Sequence, residues 1–337
     1  MKILLVLEFP LKLAEELQLI SVLRRAGHKV RVAAAEKVLS LVTPAGWEAL
    51  CGFRPVAFPE DGLPWAEVLV WNRLSRERAR AARLRGCGRP MIDLGKPSRA
   101  AWSPDKVLAR LEQLSQPQDF AGKTVLVTAG PTVEDIDPVR FITNRSSGKM
   151  GVAIAWAAAM RGARVLLVHG PMAAEVPQWP AVEALPVRSA QEMHDVVREH
   201  WQEAQVAVLC AAVADFRPDH YVPRKIKKIP GEGMVLSLER TPDILAELGA
   251  MPRHPFLVGF AAETDDVEIN ALNKLRKKHC DLLCANDIRQ PGCGFAADTN
   301  QITVYAADGT VHRIPMMAKR EAADEILKLV AKFTRFS

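Results

Sequence analysis

No stretch of this 337-residue sequence approaches the roughly 18 consecutive apolar residues that a membrane-spanning helix requires. The N-terminal apolar run Ile3–Leu7 stops at Glu8, short of the roughly 7–15 residues in the core of a secretory leader. The expectation is a cytoplasmic chain that meets no membrane. The six cysteines (Cys51, Cys87, Cys210, Cys280, Cys284, Cys293) form no C-x-x-C pair. No His-x-His or second cysteine pair completes a zinc set around Cys280, Cys284 and Cys293. Reduced, structural thiols are therefore expected. Zinc-finger spacing, a basic-aromatic ribonucleoprotein pattern, heptads and internal repeats are all missing.

What is present is the mix of a globular chain, 49% hydrophobic and 25% charged, long enough for two ordinary domains. A net charge of +6 fits either a nucleic-acid binder or an enzyme that handles phosphorylated small molecules, and does not choose between them.

Residues 1–114 read as a small α/β domain. Ile3–Leu7 suits a buried strand; Leu13, Leu17, Ile20 and Leu23 recur at helical spacing, and Gly27 closes that helix. Lys29–Ala33, Val68–Trp71 and Pro90–Leu94 follow as strands, and Ser103-Pro104-Asp105 opens a helix with a cap and a first-turn proline. A polar linker over 115–121 leads to a second domain, 122–337. There, strands Thr124–Thr128, Val165–His169, Val206–Cys210, Phe256–Phe260 and Leu282–Ala285 alternate with helices Met150–Met160, one after the Ser189–Glu192 capping box, Pro242–Leu248 and Val267–Lys278. Such alternation implies a mostly parallel, doubly wound sheet. Gln301–Ala306 and Thr310–Ile314, flanking Asp308-Gly309, add a β-hairpin at the end.

Ligands of open α/β sheets bind at the carboxyl ends of strands. After Thr124–Thr128 the chain runs through Gly130 and Arg140 to Asn144-Arg145-Ser146-Ser147-Gly148-Lys149-Met150-Gly151. Its serines, glycines and helix start offer hydroxyls and free N–H groups to an anion. The competing reading is a helix start merely capped by serine. It is not a P-loop, because Thr143 stands where the first glycine belongs and Met150 follows Lys149; a G-x-G-x-x-G fingerprint is absent too. Next, Cys210–Pro218 ends a strand in small residues that admit a flat ring. Asp215 is placed to hold a base or sugar edge, and Arg224-Lys225-Ile226-Lys227-Lys228 follows. Lys274 and Lys278 stand at i, i+4 with Arg276 and Lys277 between them, a repulsion that a bound polyphosphate would reverse; a solvated basic face is the alternative.

Five blocks, TAGPTVEDIDPVRFITNRSSGKMG, AAVADFRP with KIKK, TPDIL, GFAAET and CANDI, occur in an order that resembles the synthetase half of bacterial bifunctional phosphopantothenoylcysteine synthetase/decarboxylases. The resemblance implies a Rossmann-like α/β ligase domain, preceded by a reduced flavodoxin-like domain. It implies that CTP and 4'-phosphopantothenate form an acyl-cytidylate, releasing pyrophosphate, and that L-cysteine then displaces CMP, with Mg²⁺ accompanying CTP. It assigns Ala211 and Asp215 to the cytidine pocket. Lys225, Lys274 and Lys278 go to the triphosphate, and Pro242, Asp243, Ile244, Leu245 and Phe260 to the nucleotide lining. Gly130, Arg140, Ser146, Ser147, Gly148 and Lys149 form the phosphate and substrate loop, and Asn144 handles the acyl-cytidylate, with Lys225 also catalytic. A homodimer with its contact near Gln301–Ile314 is implied, with no nucleic-acid partner.

Residues 1–114 resemble an eroded form of the same family's flavin-dependent decarboxylase. Val30–Val56 matches, but Glu8-Phe9-Pro10-Leu11-Lys12 replaces a glycine-rich turn. No histidine lies between Phe58 and Trp65, and Trp71-Asn72-Arg73 replaces an expected Pro-Ala-small-Ala-Asn stretch. FMN binding and decarboxylation are expected to be absent. A nicotinamide- or flavin-dependent α/β oxidoreductase is the alternative function, and a nucleic-acid binder the third.

Overall fold

Alternation of apolar residues on two faces organises the first strand. Ile3, Leu5 and Leu7 belong to one buried cluster and Leu4 and Val6 to another, so β1 (Lys2–Leu7) is covered on both sides. The computed structural model describes residues 1–8, 13–56, 59–72, 86–94, 102–227, 233–252 and 254–336. It forms two compact units, Met1–Gln116 and Pro117–Ser337.

In the first unit β1 leads to α1 (Leu13–Arg25), whose Leu19, Ile20 and Leu23 are buried, and Gly27 follows at φ +84°. Then come β2 (Lys29–Ala34), α2 (Glu36–Leu39), α3 (Pro44–Cys51), α4 (Pro59–Gly62), β3 (Val68–Asn72), β4 (Met91–Asp93) and α5 (Pro104–Ser115). The four-stranded sheet has the order β2-β1-β3-β4, all parallel. Ser103 caps α5, accepting from the Lys106 N–H at 3.3 Å. The replaced turn at 9–12, Phe58, and Arg73 lie outside the described residues.

The second unit is built on an eight-stranded sheet. Its strands are β5 (Thr124–Ala129), β8 (Arg164–His169), β9 (Val182–Pro186), β10 (Val206–Leu209), β13 (Phe256–Glu263), β14 (Leu282–Asp287), β15 (Thr299–Ala306) and β16 (Val311–Ala318). The order is β16-β15-β14-β13-β10-β5-β8-β9; β15 alone runs against the other strands, pairing antiparallel with β14 and with β16. Counted by parallel strands this is the order 3-2-1-4-5-6, whose topological switch point lies between β5 and β10. Helices α6 (Lys149–Met160) and α10 (Lys319–Thr334) cover one face, and α7 (Ala190–His200), α8 (Ile244–Gly249) and α9 (Val267–Lys277) the other. Gly151 lets α6 close on β5, because a Cβ there would stand 2.6 Å from the Ala129 Cβ. The hairpin turns at Gly309, φ +87°.

Two ladders are absent from the sequence reading: β6 (Val133–Asp135) with β7 (Phe141–Thr143), and β11 (Phe216–Pro218) with β12 (Leu238–Arg240). Each has three-residue strands, too short for a period-2 pattern to register. Ser189 accepts from the Glu192 N–H as a capping box requires, but Glu192 reaches back to the Arg188 N–H. Cys51, Cys210, Cys280, Cys284 and Cys293 form no disulfide among the described residues. Among the described residues no helix is long and apolar enough to cross a membrane.

Candidate functional site

The carboxyl ends of β5 and β10 are stitched together at the switch point. Thr128 Oγ1 accepts from the Ala211 N–H at 3.1 Å, and Thr132 Oγ1 from the Ala214 N–H at 2.9 Å. The Ala212 N–H donates to the Gly130 carbonyl at 2.9 Å, and Pro131 and Ala212 form a parallel bridge. Gly130, at φ +75°, turns the chain under this wall rather than facing a ligand. Above the wall opens a cavity of about 640 Å³.

The cavity gathers most of the residues singled out from sequence: Asn144, Ser146, Ser147, Gly148, Lys149, Ala211, Asp215, Pro242, Asp243, Ile244, Leu245, Phe260, Lys274 and Lys278 all line it. Asn144 donates its side-chain amide to the carbonyls of Ala212 at 3.0 Å and Val213 at 3.1 Å. The α6 N-cap is Gly148, in the left-handed conformation and without a side-chain cap. The serine-capped reading therefore fails: Ser146 Oγ accepts from the Gly148 N–H at 3.3 Å, and Ser147 donates to the Phe295 carbonyl. Asp243 caps α8 instead, accepting from the Ala246 N–H at 3.1 Å, and the Lys278 ammonium donates to its other oxygen. Burial works against the Asp243 carboxylate, but Lys278, the Ala246 N–H and Lys274 together hold its pKa below the ordinary value.

Three of the sequence-chosen residues do not line the cavity: Gly130, Arg140 and Lys225. Arg140 is spent on the loop, donating to Asp137 Oδ2 at 2.5 Å and the Ile226 carbonyl at 3.2 Å. Burial opposes the Asp137 charge, but N–H groups of Ile226, Val139 and Arg140, with the Arg140 side chain, draw its pKa down to about 2. Lys225 is exposed beside Ile226, and Lys228 lies outside the described residues. A basic loop read only as a string gives no sign of which cations point at a site. Lys149, on the rim, donates to the Ala296 carbonyl at 2.8 Å and to Asp298 at 2.6 Å.

Sequence reasoning missed Thr241, Asn286, Asn300 and Lys319 as lining residues. Thr241 and Asn286 sit beside or inside quoted blocks, but Asn300 and Lys319 lie in strand and helix segments without a motif. Cys210 lines the cavity, yet burial pushes its thiol up to about 12, so it is no nucleophile at neutral pH. No histidine lines the cavity, and no group of three or more His, Cys, Asp or Glu suits a metal ion among the described residues. The arrangement is a binding cleft rich in cations and N–H groups, suited to stabilising phosphate charge rather than to moving protons.

Residues 120–334 match the family described as DNA/pantothenate metabolism flavoprotein C-terminal domain. The chain is 46% identical over 224 residues to the coenzyme A biosynthesis bifunctional protein CoaBC of Bacillus subtilis (strain 168), covering 66% of this chain and 54% of that protein. It is 45% identical over 263 residues to CoaBC of Vibrio vulnificus (strain CMCP6), covering 77% and 62% respectively. It thus spans less than two thirds of the length of these relatives. A crystal structure of the C-terminal domain of CoaBC is 43% identical with a TM-score of 0.56, covering 65% of this chain and 100% of that one. The chain therefore belongs, through residues 120–334, to the DNA/pantothenate metabolism flavoprotein C-terminal domain family.

Proposed function

We propose that the second unit joins 4'-phosphopantothenate to L-cysteine at the expense of CTP. In the first step a carboxylate oxygen of the acid attacks the α-phosphorus of CTP, forming the acyl-cytidylate and expelling pyrophosphate. In the second, the amine of cysteine attacks the acyl carbon, CMP leaves with the bonding pair, and the amine proton passes to water. The observation that carries this reading is one cavity at the switch point that collects residues from all five sequence blocks and keeps Lys274 of α9 and Lys278, its C-cap, beside the α8 cap. Small residues Ala211–Ala214 and the Pro242–Leu245 turn give a flat base room against backbone, with Asp215 at the edge.

Charge accumulates on the α-phosphate and the departing pyrophosphate in the first step, and preorganised cations lower that barrier most. The second step starts from an activated acyl group, so orientation suffices and no buried base is needed. A divalent ion would enter with the nucleotide's phosphates, as part of the substrate. The reaction belongs to the cytoplasm, where the nucleotide pool is found.

The subunit is proposed to work as a homodimer. β16 is the outer strand of the eight-stranded sheet and exposes Val311 and Met316, an edge that a partner would cover. Sedimentation velocity of active enzyme at assay concentration tests this; an active monomer refutes it.

We infer that the first unit holds no FMN. At the carboxyl edge of its sheet, Asn72 at the end of β3 donates to Glu16, which is 1% exposed and whose Oε2 has no hydrogen-bond partner. That edge therefore presents an amide already engaged by a buried acid, and the sequence lacks the glycine-rich turn and the histidine of the flavin-dependent domain it resembles.

The test of the ligase reading is pyrophosphate release from CTP, dependent on phosphopantothenate, with the cysteine adduct identified by mass spectrometry. Release from CTP that ignores phosphopantothenate would refute the reading.

A further inference from the structure

Lys319, the first residue of α10, is 7% exposed and yet lines the cavity. Its ammonium donates to the carbonyls of Gly294 and Phe295, both at 3.3 Å, which leaves one of the three ammonium donors unspent. Among the described residues no carboxylate lies within ion-pairing distance of it, and Asp298, the acid in its neighbourhood, is taken by Lys149. A buried cation without a counter-charge is costly unless something else supplies one. Burial first, and then repulsion from Lys149, push the Lys319 pKa below the ordinary lysine value.

The position of this charge matters. Lys274 and Lys278 reach the cavity from α9, on the face of the sheet packed by α7, α8 and α9. Lys149 and Lys319 reach it from α6 and α10, on the opposite face. The cavity therefore draws lysines from helices on both faces of the sheet, and the α6 side also brings the N-terminal turn of α6, without a side-chain cap, whose partial positive charge adds to the two ammonium groups.

We propose that Lys319, with Lys149 and the first turn of α6, forms a second phosphate-binding subsite of the cavity, supplied from the sheet face opposite the one that supplies Lys274 and Lys278. The proposal rests on the ligase reading for its occupant, because that reaction brings two phosphorylated molecules into one cleft. The shared chemistry is a phosphate group, carried either on the polyphosphate tail of CTP or as the phosphomonoester of the acid substrate.

The test is calorimetric titration of the full chain and of Lys319→Met, which keeps the stem and removes the charge. Ligands are inorganic pyrophosphate, CTP, phosphopantothenate and pantothenate. The expected result is a loss of pyrophosphate affinity of about tenfold or more, with Lys319→Arg within a few-fold of the unaltered chain. A matching loss confined to CTP places the nucleotide tail on Lys319. A loss confined to phosphopantothenate, with pantothenate unchanged, places the acid's monoester there. Unchanged affinity for all four ligands in a folded Lys319→Met overturns the proposal and leaves Lys319 as a tie for the Gly294–Phe295 turn. If Lys319→Met does not fold, acetylation of the unaltered chain read by mass spectrometry decides: pyrophosphate should slow modification at Lys319, and equal rates with and without it overturn the proposal. Pyrophosphate binding is read without turnover. A chain that lost pyrophosphate affinity on Lys319→Met but never consumed CTP would refute the ligase reading and leave the subsite standing.

Discussion

Lys278, the C-cap of α9, places its ammonium on the carboxylate of Asp243, the residue that caps α8. The pair neutralises itself while the cavity is free of phosphate. Removing the lysine therefore does two things: it deletes a cation and leaves Asp243 facing the incoming polyphosphate. Lys278→Gln is expected to lower kcat/KM for CTP by on the order of 10²-fold or more. Lys274→Gln should cost less, and Lys225→Gln, exposed and outside the cavity lining, least. Because the Lys278→Gln loss includes a stranded carboxylate, adding Asp243→Asn should recover part of it. Steady-state kinetics with CTP checks all four; wild-type kinetics for Lys278→Gln would reduce the pair to surface decoration.

Glu16 in the first unit is an acid whose burial pushes its pKa up to about 7, against the Asn72 hydrogen bond that pulls it down and with Glu15 adding repulsion. Its folded pKa lies above the unfolded value, so between about pH 4.5 and about 7 the folded state holds a proton that the unfolded chain has released. Stability of this unit should consequently fall as pH rises through that window and level off above it. Urea denaturation at pH 5, 6, 7 and 8, read by fluorescence of the buried Trp47 and Trp71, checks the slope. Glu16→Gln keeps the bond to Asn72 without the titration and should flatten it; an unchanged slope in that variant assigns the pH dependence elsewhere.

The lost glycine-rich turn and the missing histidine between Phe58 and Trp65 underlie the expectation that purified protein carries no flavin. Size-exclusion chromatography followed by an absorbance spectrum is sufficient. A stoichiometric visible band that survives the column would overturn it, whereas colourless protein with full ligase activity supports a first unit retained for something other than redox chemistry.

The long elements were legible because their cores are one-sided or fully buried in a regular period. Leu19, Ile20 and Leu23 fall on one stripe of α1, and Val125–Val127 and Val206–Val208 are continuous buried runs. Gly27 and Ser103 marked helix ends through local chemistry that needs no tertiary context. The short ladders β6/β7 and β11/β12 were not legible, since Phe141 and Phe216 at their ends are exposed and carry no burial pattern. At the site, spacing recovered Lys274 and Lys278 because one helix presents both. It misplaced Arg140, whose partner Asp137 stands three residues away and needed only to be read as an arginine trap. Lys319 was invisible: its burial depends on Gly294 and Phe295, brought to it by the β15–β16 hairpin.

Asn144 carries the sharpest expectation. Both hydrogens of an amide NH₂ group are available, and here that group donates to two carbonyls, Ala212 at 3.0 Å and Val213 at 3.1 Å. Those carbonyls belong to a segment anchored by Thr128, Thr132 and the Pro131–Ala212 bridge, so the side chain is held from behind, in a wall of the cavity. The amide oxygen is then the part free to meet a ligand. Sequence alone allows Asn144 to be a turn cap, for which Asn144→Asp is nearly silent, because both residues cap well. The geometry excludes that outcome. An aspartate here would set a carboxylate oxygen against two carbonyl oxygens, lose both hydrogen bonds and bring a negative charge toward an acyl-phosphate. The residue is exposed, so Asn144→Asp should fold with only a modest loss of stability, of about 1–2 kcal/mol. Turnover should fall much further, and mainly in the attack of cysteine on the acyl-cytidylate, so that this intermediate accumulates. Rapid quench with mass spectrometry measures it directly. Should pyrophosphate release slow in step with product while no acyl-cytidylate builds up, Asn144 serves the activation step instead. Wild-type rates in both steps would make the residue a structural tie and end its assignment to the reaction.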